Sequence, residues 1–344
     1  MANMQIIFST SYLSAVETIC LIERSNSDFM ILTSNPFLFK FYCELYGYDK
    51  ILLIGLQTGG MSLLRKISCH LSARRNAENI WKDSLSQYFG VDVYFSCTSF
   101  CESEALLINK LSKNNKIYYH PIIDVSNNTI DDSLLSLLKI KMKEVIYSIP
   151  LISTKSLGLS YHSLREEYFK GLNFKDYTVK YSYKAIHHAA SKVCNLSGGQ
   201  KILILCGGIC DTFCSHNEYT YKMDALIKEL VMVYGYQAVH VKTHPLLNDL
   251  YSEEGKIYEV PSYVPANLIL SQYDIIIGYG SSVLFESELL GVLSIALLNY
   301  INPIDSSNKN DFIKYLEINS SGGIQYPNSL KDIMMLISST IVKK

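Results

Sequence analysis

These 344 residues lack an excess of charge of either sign: 31 Lys and Arg face 32 Asp and Glu, for a formal net charge of -1. Such a chain has no broad basic field for nucleic acid or anionic lipid, so nucleic acid is not expected as a partner. Long apolar runs are missing too, and no window supplies the ~18 consecutive apolar residues of a membrane span. The opening MANMQIIFSTSYLSAVETICLIE has no basic start and is broken by Ser9, Thr10 and Ser11, so it does not read as a signal peptide. The expectation is a cytoplasmic protein whose membrane contact, if any, is peripheral and at the inner face. Proline is sparse, with 8 residues beside 18 Gly, 48% hydrophobic and 18% charged, which excludes disordered, collagen-like and coiled-coil classes. Paired cysteine motifs are also absent. The 9 cysteines are an odd number; Cys206, Cys210 and Cys214 stand four apart with no C-x2-C pair and no His at zinc spacing. Free thiols in a reducing compartment are expected, and no metal.

What is present is a repeated α/β rhythm, and the length suggests about two domains. Apolar runs at Gln5–Ser9, Phe29–Thr33 and Lys50–Gly55 alternate with helical patterns at Tyr12–Ile22 and Leu38–Leu45. Further strands are predicted at Asp92–Ser96 and Ile117–Tyr119, with a helix over Ser99–Leu111 between them. From Lys141 to about Gln200 the sequence reads as a connector with helical insertions. A second rhythm opens at Lys201–Leu205, an unbroken apolar run typical of a strand buried on both faces. It continues with a helix from Tyr221 to a stop at Gly235, strands at Ala238–Val241, Asp274–Ile277 and Leu293–Leu298, and helices at Ala266–Gln272, Val283–Leu290 and Leu330–Val342. The fold class is α/β: an N-terminal Rossmann-like domain with connector over 1–185 and a C-terminal one over 186–344, facing each other across a cleft in the GT-B manner.

Ligands of parallel sheets gather at the carboxyl ends of the strands, and three such places stand out. Gly207 and Gly208 form a turn in which backbone can approach a ligand, or simply a tight turn. Lys242-Thr243-His244-Pro245 puts an ammonium and an imidazole at a strand end; the imidazole can offer a phosphate a hydrogen bond or a positive charge. Gly278-Tyr279-Gly280-Ser281-Ser282 precedes a helix, where the serines either receive an anion or only cap. With His244 and Ser281 at adjacent strand ends, a shared phosphate cradle is expected. No G-x-x-x-x-G-K-[ST], no G-x-G-x-x-G and no D-x-D is present, which points away from P-loop and NAD enzymes and from metal-held diphosphate. A single phosphate, as in a nucleoside monophosphate leaving group, is the better match.

These letters resemble the HP motif, the V-P-A-E helix start (here Val264-Pro265-Ala266-Asn267) and the serine-serine motif of bacterial GT-B sialyltransferases and polysialyltransferases. Ile7 to Ala15 resembles the first strand and helix of lipooligosaccharide sialyltransferases. The resemblance implies inverting transfer of sialic acid or a related nonulosonic acid from a CMP-activated donor to a glycan or lipooligosaccharide acceptor, with no cofactor and no metal. It makes His244 the partner of the departing phosphate and Ser281 and Ser282 the ligands of its oxygens, with Lys242, Pro245 and Gly280 in the same motifs. Gly207, Gly208, Pro265 and Asn267 would face cytidine and ribose, Asn267 standing where the family often has Glu. The family's acid pair followed by Gly is missing from the first half; Asp124 or His120 would then take the acceptor proton. Glu253-Glu254-Gly255 reads as a solvated loop. Ser9, Thr10 and Ser11 either line the acceptor cleft or cap a helix. Two other readings compete: a UDP-sugar transferase or 2-epimerase of the same architecture, and a non-catalytic nucleotide- or glycan-binding protein.

Overall fold

The structure is a computed structural model that describes residues 4–12, 14–25, 27–55, 72, 75–95, 102–119, 128–130, 135, 138, 142, 154–156, 174–194, 201–207, 214–244, 257–304 and 306–341. The chain divides into two compact units, Met1–Ile186 and His187–Lys344.

In the first unit, β1 (Met4–Phe8), α1 (Ser14–Arg24), β2 (Asp28–Thr33), α2 (Pro36–Tyr46) and β3 (Ile51–Leu53) follow the rhythm expected from the apolar runs. Asn35 fixes the start of α2: its Oδ1 accepts the backbone N–H groups of Phe37 and Leu38, and Pro36 takes a position whose N–H would have no partner. Next come β4 (Asp92–Phe95), α3 (Glu102–Leu111), β5 (Lys116–Tyr119), a hairpin of β6 (Asn128–Ile130) with β7 (Thr154–Ser156), and β8 (Phe174–Asp176). The six-stranded sheet has the order β3-β2-β1-β4-β5-β8, with every pair parallel. β8 corrects the expectation of a mere connector after Lys141: Phe174–Asp176 is an edge strand, too short to show periodicity. On one face Ile6, Phe8, Leu32, Val93, Phe95, Ile117 and Tyr119 share a core with Leu85, Leu107, Ile108 and Leu111.

α4 (Tyr183–Val193) leads into the second unit. There β9 (Ile202–Cys206), α5 (His216–Tyr234), β10 (Val239–Thr243), β11 (Tyr258–Glu259), β12 (Ile275–Gly278), α6 (Val283–Leu289), β13 (Leu293–Ala296), α7 (Ser306–Asn319) and α8 (Leu330–Ile341) follow in order. The sheet order is β11-β10-β9-β12-β13, all parallel. Counting strands from the start of each unit, the second sheet and the first five strands of the first run 3-2-1-4-5, the Rossmann order, with a reversal of order beside the first strand; β8 extends the first sheet at its edge. β9 is buried throughout, as its unbroken apolar run requires. Gly235, at φ 81, ends α5. Two differences from expectation stand out. Ala266–Gln272 is a pair of single 3-10 turns, Ala266–Leu268 and Leu270–Gln272, closed by short i to i+3 bonds such as Leu268 N–H to the Pro265 carbonyl at 3.2 Å. Helix α7 was not anticipated, because its opening Ser-Ser-Asn-Lys-Asn-Asp hides the apolar stripe Phe312, Tyr315 and Leu316. No helix among the described residues is long and apolar enough to cross a membrane.

Candidate nucleotide site at the strand ends of the second unit

Register brings three strand exits to one level. Thr243, the last residue of β10, pairs with Cys206, the last of β9, and Gly278, the last of β12, pairs with Leu205, so the three strands end within one residue of each other. The strands carrying His244 and Ser281 are therefore not adjacent, as expected, but flank β9, and two strand spacings of roughly 10 Å separate them. An anion above Gly207 would lie about one spacing from each.

Partners in a parallel register share a face, which groups Leu203, Leu205, His240, Lys242, Ile276 and Gly278. A Cβ on Gly278 would meet Leu205 Cβ at 3.3 Å and Leu284 Cδ1 at 3.8 Å, so α6 lies on this face. If the alternation of β10 continues one residue past Thr243, His244 falls on it as well. Tyr279 points to the opposite face, where its ring meets Tyr219 of α5 with centroids 6.2 Å apart. Helices α5 and α6 thus leave on opposite faces at the β9/β12 boundary, where such sheets bind ligands.

The predicted residues fare unequally there. Burial, then the nearby Lys242 ammonium, pushes His244 below the ordinary imidazole value. At neutral pH it is an uncharged ring that donates through one N–H, not a positive charge. Lys242 is not an open cation. β10 extends through Thr243, so Lys242 sits inside the sheet, 7% exposed, and its Nζ donates to the carbonyls of Pro261 at 3.4 Å and Ser262 at 3.2 Å. Burial pushes its pKa down to about 8. Its part is to hold the turn that leads to Pro265. Pro265, buried, starts the first 3-10 turn, and Oδ1 of Asn267 in that turn is buried with no hydrogen-bond partner among the described residues.

Ser281 Oγ accepts the Val283 N–H at 3.3 Å, a capping bond that leaves its own hydroxyl hydrogen to donate; the Ser282 side chain makes no cap bond. A Cβ on Gly280 would come within 3.1 Å of Phe312 Cε1 on α7, so packing alone already favours a residue without a side chain there. The Gly207 N–H, expected to face a nucleotide, donates instead to Tyr219 Oη at 2.8 Å. Tyr219 was missed because the predicted helix began at Tyr221, whereas α5 begins at His216, and nothing in the linear spacing ties it to Gly207. Gly208, Pro245, His120, Asp124 and Glu253-Glu254-Gly255 lie outside the described residues.

In the first unit, Ser9 and Thr10 turn inward rather than lining an open cleft. Ser9 Oγ bonds Tyr42 Oη at 2.6 Å and Ser14 Oγ at 2.8 Å, and Thr10 Oγ1 donates to Glu104 Oε1 at 3.4 Å, with Ser9, Thr10 and Glu104 all buried. Ser11 does help to start α1, its carbonyl accepting the Ser14 N–H at 3.0 Å. Cys206 and Cys214 are buried thiols. No group of three or more His, Cys, Asp or Glu that would suit a metal ion occurs among the described residues.

The strand orders and this strand-end site define the class: an α/β protein of two Rossmann-like units. No family profile and no curated protein matches the chain. Among solved structures it is similar to UDP-GlcNAc 2-epimerase from Methanocaldococcus jannaschii, at 17% identity over 98% of this chain and 99% of that one, with a TM-score of 0.45. It is also similar to the E. coli heptosyltransferase WaaC with ADP, at 12% identity, 98% and 99% coverage and TM-score 0.47. The glycosyltransferase SnogD from Streptomyces nogalater gives 11% identity, 97% and 99% coverage and TM-score 0.43. At this level of likeness, activity has to be argued from the residues of the site.

Proposed function

We propose that the chain is a nucleotide-sugar-dependent glycosyltransferase whose second unit holds the nucleotide at the exits of β9, β10 and β12. One observation carries this reading: the segments bearing His244, Gly207 and Gly280-Ser281-Ser282 follow three neighbouring strands that end within one residue of each other, beside the reversal of strand order in a parallel sheet. In the reaction, the bond between the sugar's anomeric carbon and the phosphate oxygen breaks, and negative charge grows on the phosphate as it leaves. A neutral His244 N–H and the Ser281 and Ser282 hydroxyls donate to that oxygen, stabilising charge that is greatest in the transition state. The Asn267 carbonyl oxygen accepts from a ribose hydroxyl. On the acceptor side, Asp124 or His120 takes the hydroxyl proton as the new glycosidic bond forms. The motif resemblance supports a CMP-activated nonulosonic acid as donor. The similar structures bear the names of UDP-sugar epimerases and of a transferase seen with ADP, so UDP- and ADP-sugars belong in the same test.

Calorimetric titration with CMP, UDP and ADP, followed by assays of nucleotide release from CMP-N-acetylneuraminate, UDP-GlcNAc and an ADP-heptose, tests the proposal. At least one nucleotide should bind, and its sugar should turn over. His244→Ala should then lower that turnover by roughly 100-fold, the scale of losing one transition-state donor. A wild type that binds none of the three overturns the reading, and an unchanged rate in His244→Ala removes the imidazole from the mechanism.

A further inference from the structure

Gly207 is the first residue beyond β9, the central strand, and borders the crevice where strand order reverses. A backbone N–H in that place is the ordinary donor to a nucleotide phosphate. Here the donor is engaged: it points to Tyr219 Oη at 2.8 Å. The phenol is held from both ends. Tyr219 stands in the first turn of α5, its residue 2% exposed, and its ring lies edge-on to Tyr279, 3% exposed, at an interplanar angle of 88°. Tyr279 is the first residue after β12, so the aromatic pair spans the two strand exits that bound the crevice on the α5 face. Swinging the phenol aside for a phosphate would break this contact and bring a buried ring into water. The hydroxyl is therefore a fixed occupant, and among the described residues the groups left for a phosphate are His244, Ser281 and Ser282.

We infer that Tyr219 is a specificity-determining residue of the nucleotide site: by holding the Gly207 N–H it withdraws a donor that a second phosphate would use, and so favours nucleotides with one phosphate over those with two. The inference rests on the nucleotide reading above and adds to it the number of phosphates. Tyr219→Phe keeps the ring against Tyr279 and removes the hydroxyl, both the acceptor of the Gly207 N–H and the donor the phenol itself carries, freeing the Gly207 N–H. The test is calorimetry of wild type and Tyr219→Phe with UMP, UDP, CMP and CDP, read as the ratio of diphosphate to monophosphate Kd for each base that binds. Wild type should bind the monophosphate at least as tightly as the diphosphate. In Tyr219→Phe the ratio should fall by about tenfold, the worth of one hydrogen bond to a charged group. General loosening of the site would weaken both ligands together and leave the ratio alone.

A second measurement needs no variant. In wild type labelled with 15N-glycine, the Gly207 amide should be protected from exchange and should keep its resonance position when UMP saturates the site. A wild type that prefers the diphosphate, a ratio changed less than twofold in Tyr219→Phe, or a Gly207 amide that transfers to bound phosphate each overturns the role of Tyr219 while leaving nucleotide binding intact. A wild type that binds none of these four overturns this inference, and one that binds neither them nor ADP overturns the functional reading itself.

Discussion

Three basic side chains, His240, Lys242 and His244, fall on one face of β10 and its exit. His240 Nδ1 lies 3.0 Å from Tyr273 Oη, and the ring packs on Tyr258 with centroids 4.8 Å apart. Burial first, and the Lys201 ammonium second, pushes its pKa down to about 4. The unfolded chain takes up this proton near pH ~6.5, whereas the folded chain refuses it until about pH 4. Between those values the unfolded state binds more protons, so stability is lost as the pH is lowered, by up to about 3 kcal/mol across the whole window. Urea midpoints at pH 7 and pH 5 should differ clearly in wild type, and the difference should shrink by more than half in His240→Phe, which keeps the ring stacking. An undiminished difference would assign the acid sensitivity to other groups. The letters Lys-Thr-His-Pro could show that a base and an imidazole follow a strand. They could not show that β10 runs two residues further than its apolar run and closes over Lys242, because strand length depends on partners that lie far away in sequence.

At the scale of elements, the legible parts were those whose own side chains carry the signal. β9 is apolar throughout, α6 and α8 carry clear apolar stripes, and α5 ends at a glycine that adopts positive φ. Elements fixed by neighbours were not legible. α7 is polar through its first turns and is held by Phe312 under Gly280, while β8 is three residues supported by β5. The contact between Gly280 and Phe312 separates a glycine kept for packing from one kept for a ligand. Gly280→Ala forces a methyl to within 3.1 Å of the Phe312 ring, which should lower stability by about 1–3 kcal/mol. Phe312→Leu costs stability alone, through lost ring volume, but should recover part of the loss when combined with Gly280→Ala. Denaturation of the two single variants and the double variant forms a cycle; simple additivity would show that the two residues do not press on each other and would return Gly280 to a ligand role.

For the whole molecule, two parallel sheets each bury a core of their own, and the proposed nucleotide-binding residues all belong to the second. The sequence supports two α/β units because apolar strand runs recur in each half. It could not supply strand order, since pairing is set by register between distant segments and not by order in the chain. The position of the site follows from that order: β9 is central, β10 and β12 flank it, and the crevice lies where they diverge. A ligand confined to these exits stabilises what it touches by mass action, about 2.7 kcal/mol at a hundredfold excess over Kd. Amide exchange measured with and without saturating nucleotide should therefore slow in β9, β10 and β12, and little in β1, β2 and β4. Equal slowing in both sheets would mean that the nucleotide stabilises the first unit as much as the second, and the nucleotide could then no longer be assigned to the exits of one sheet.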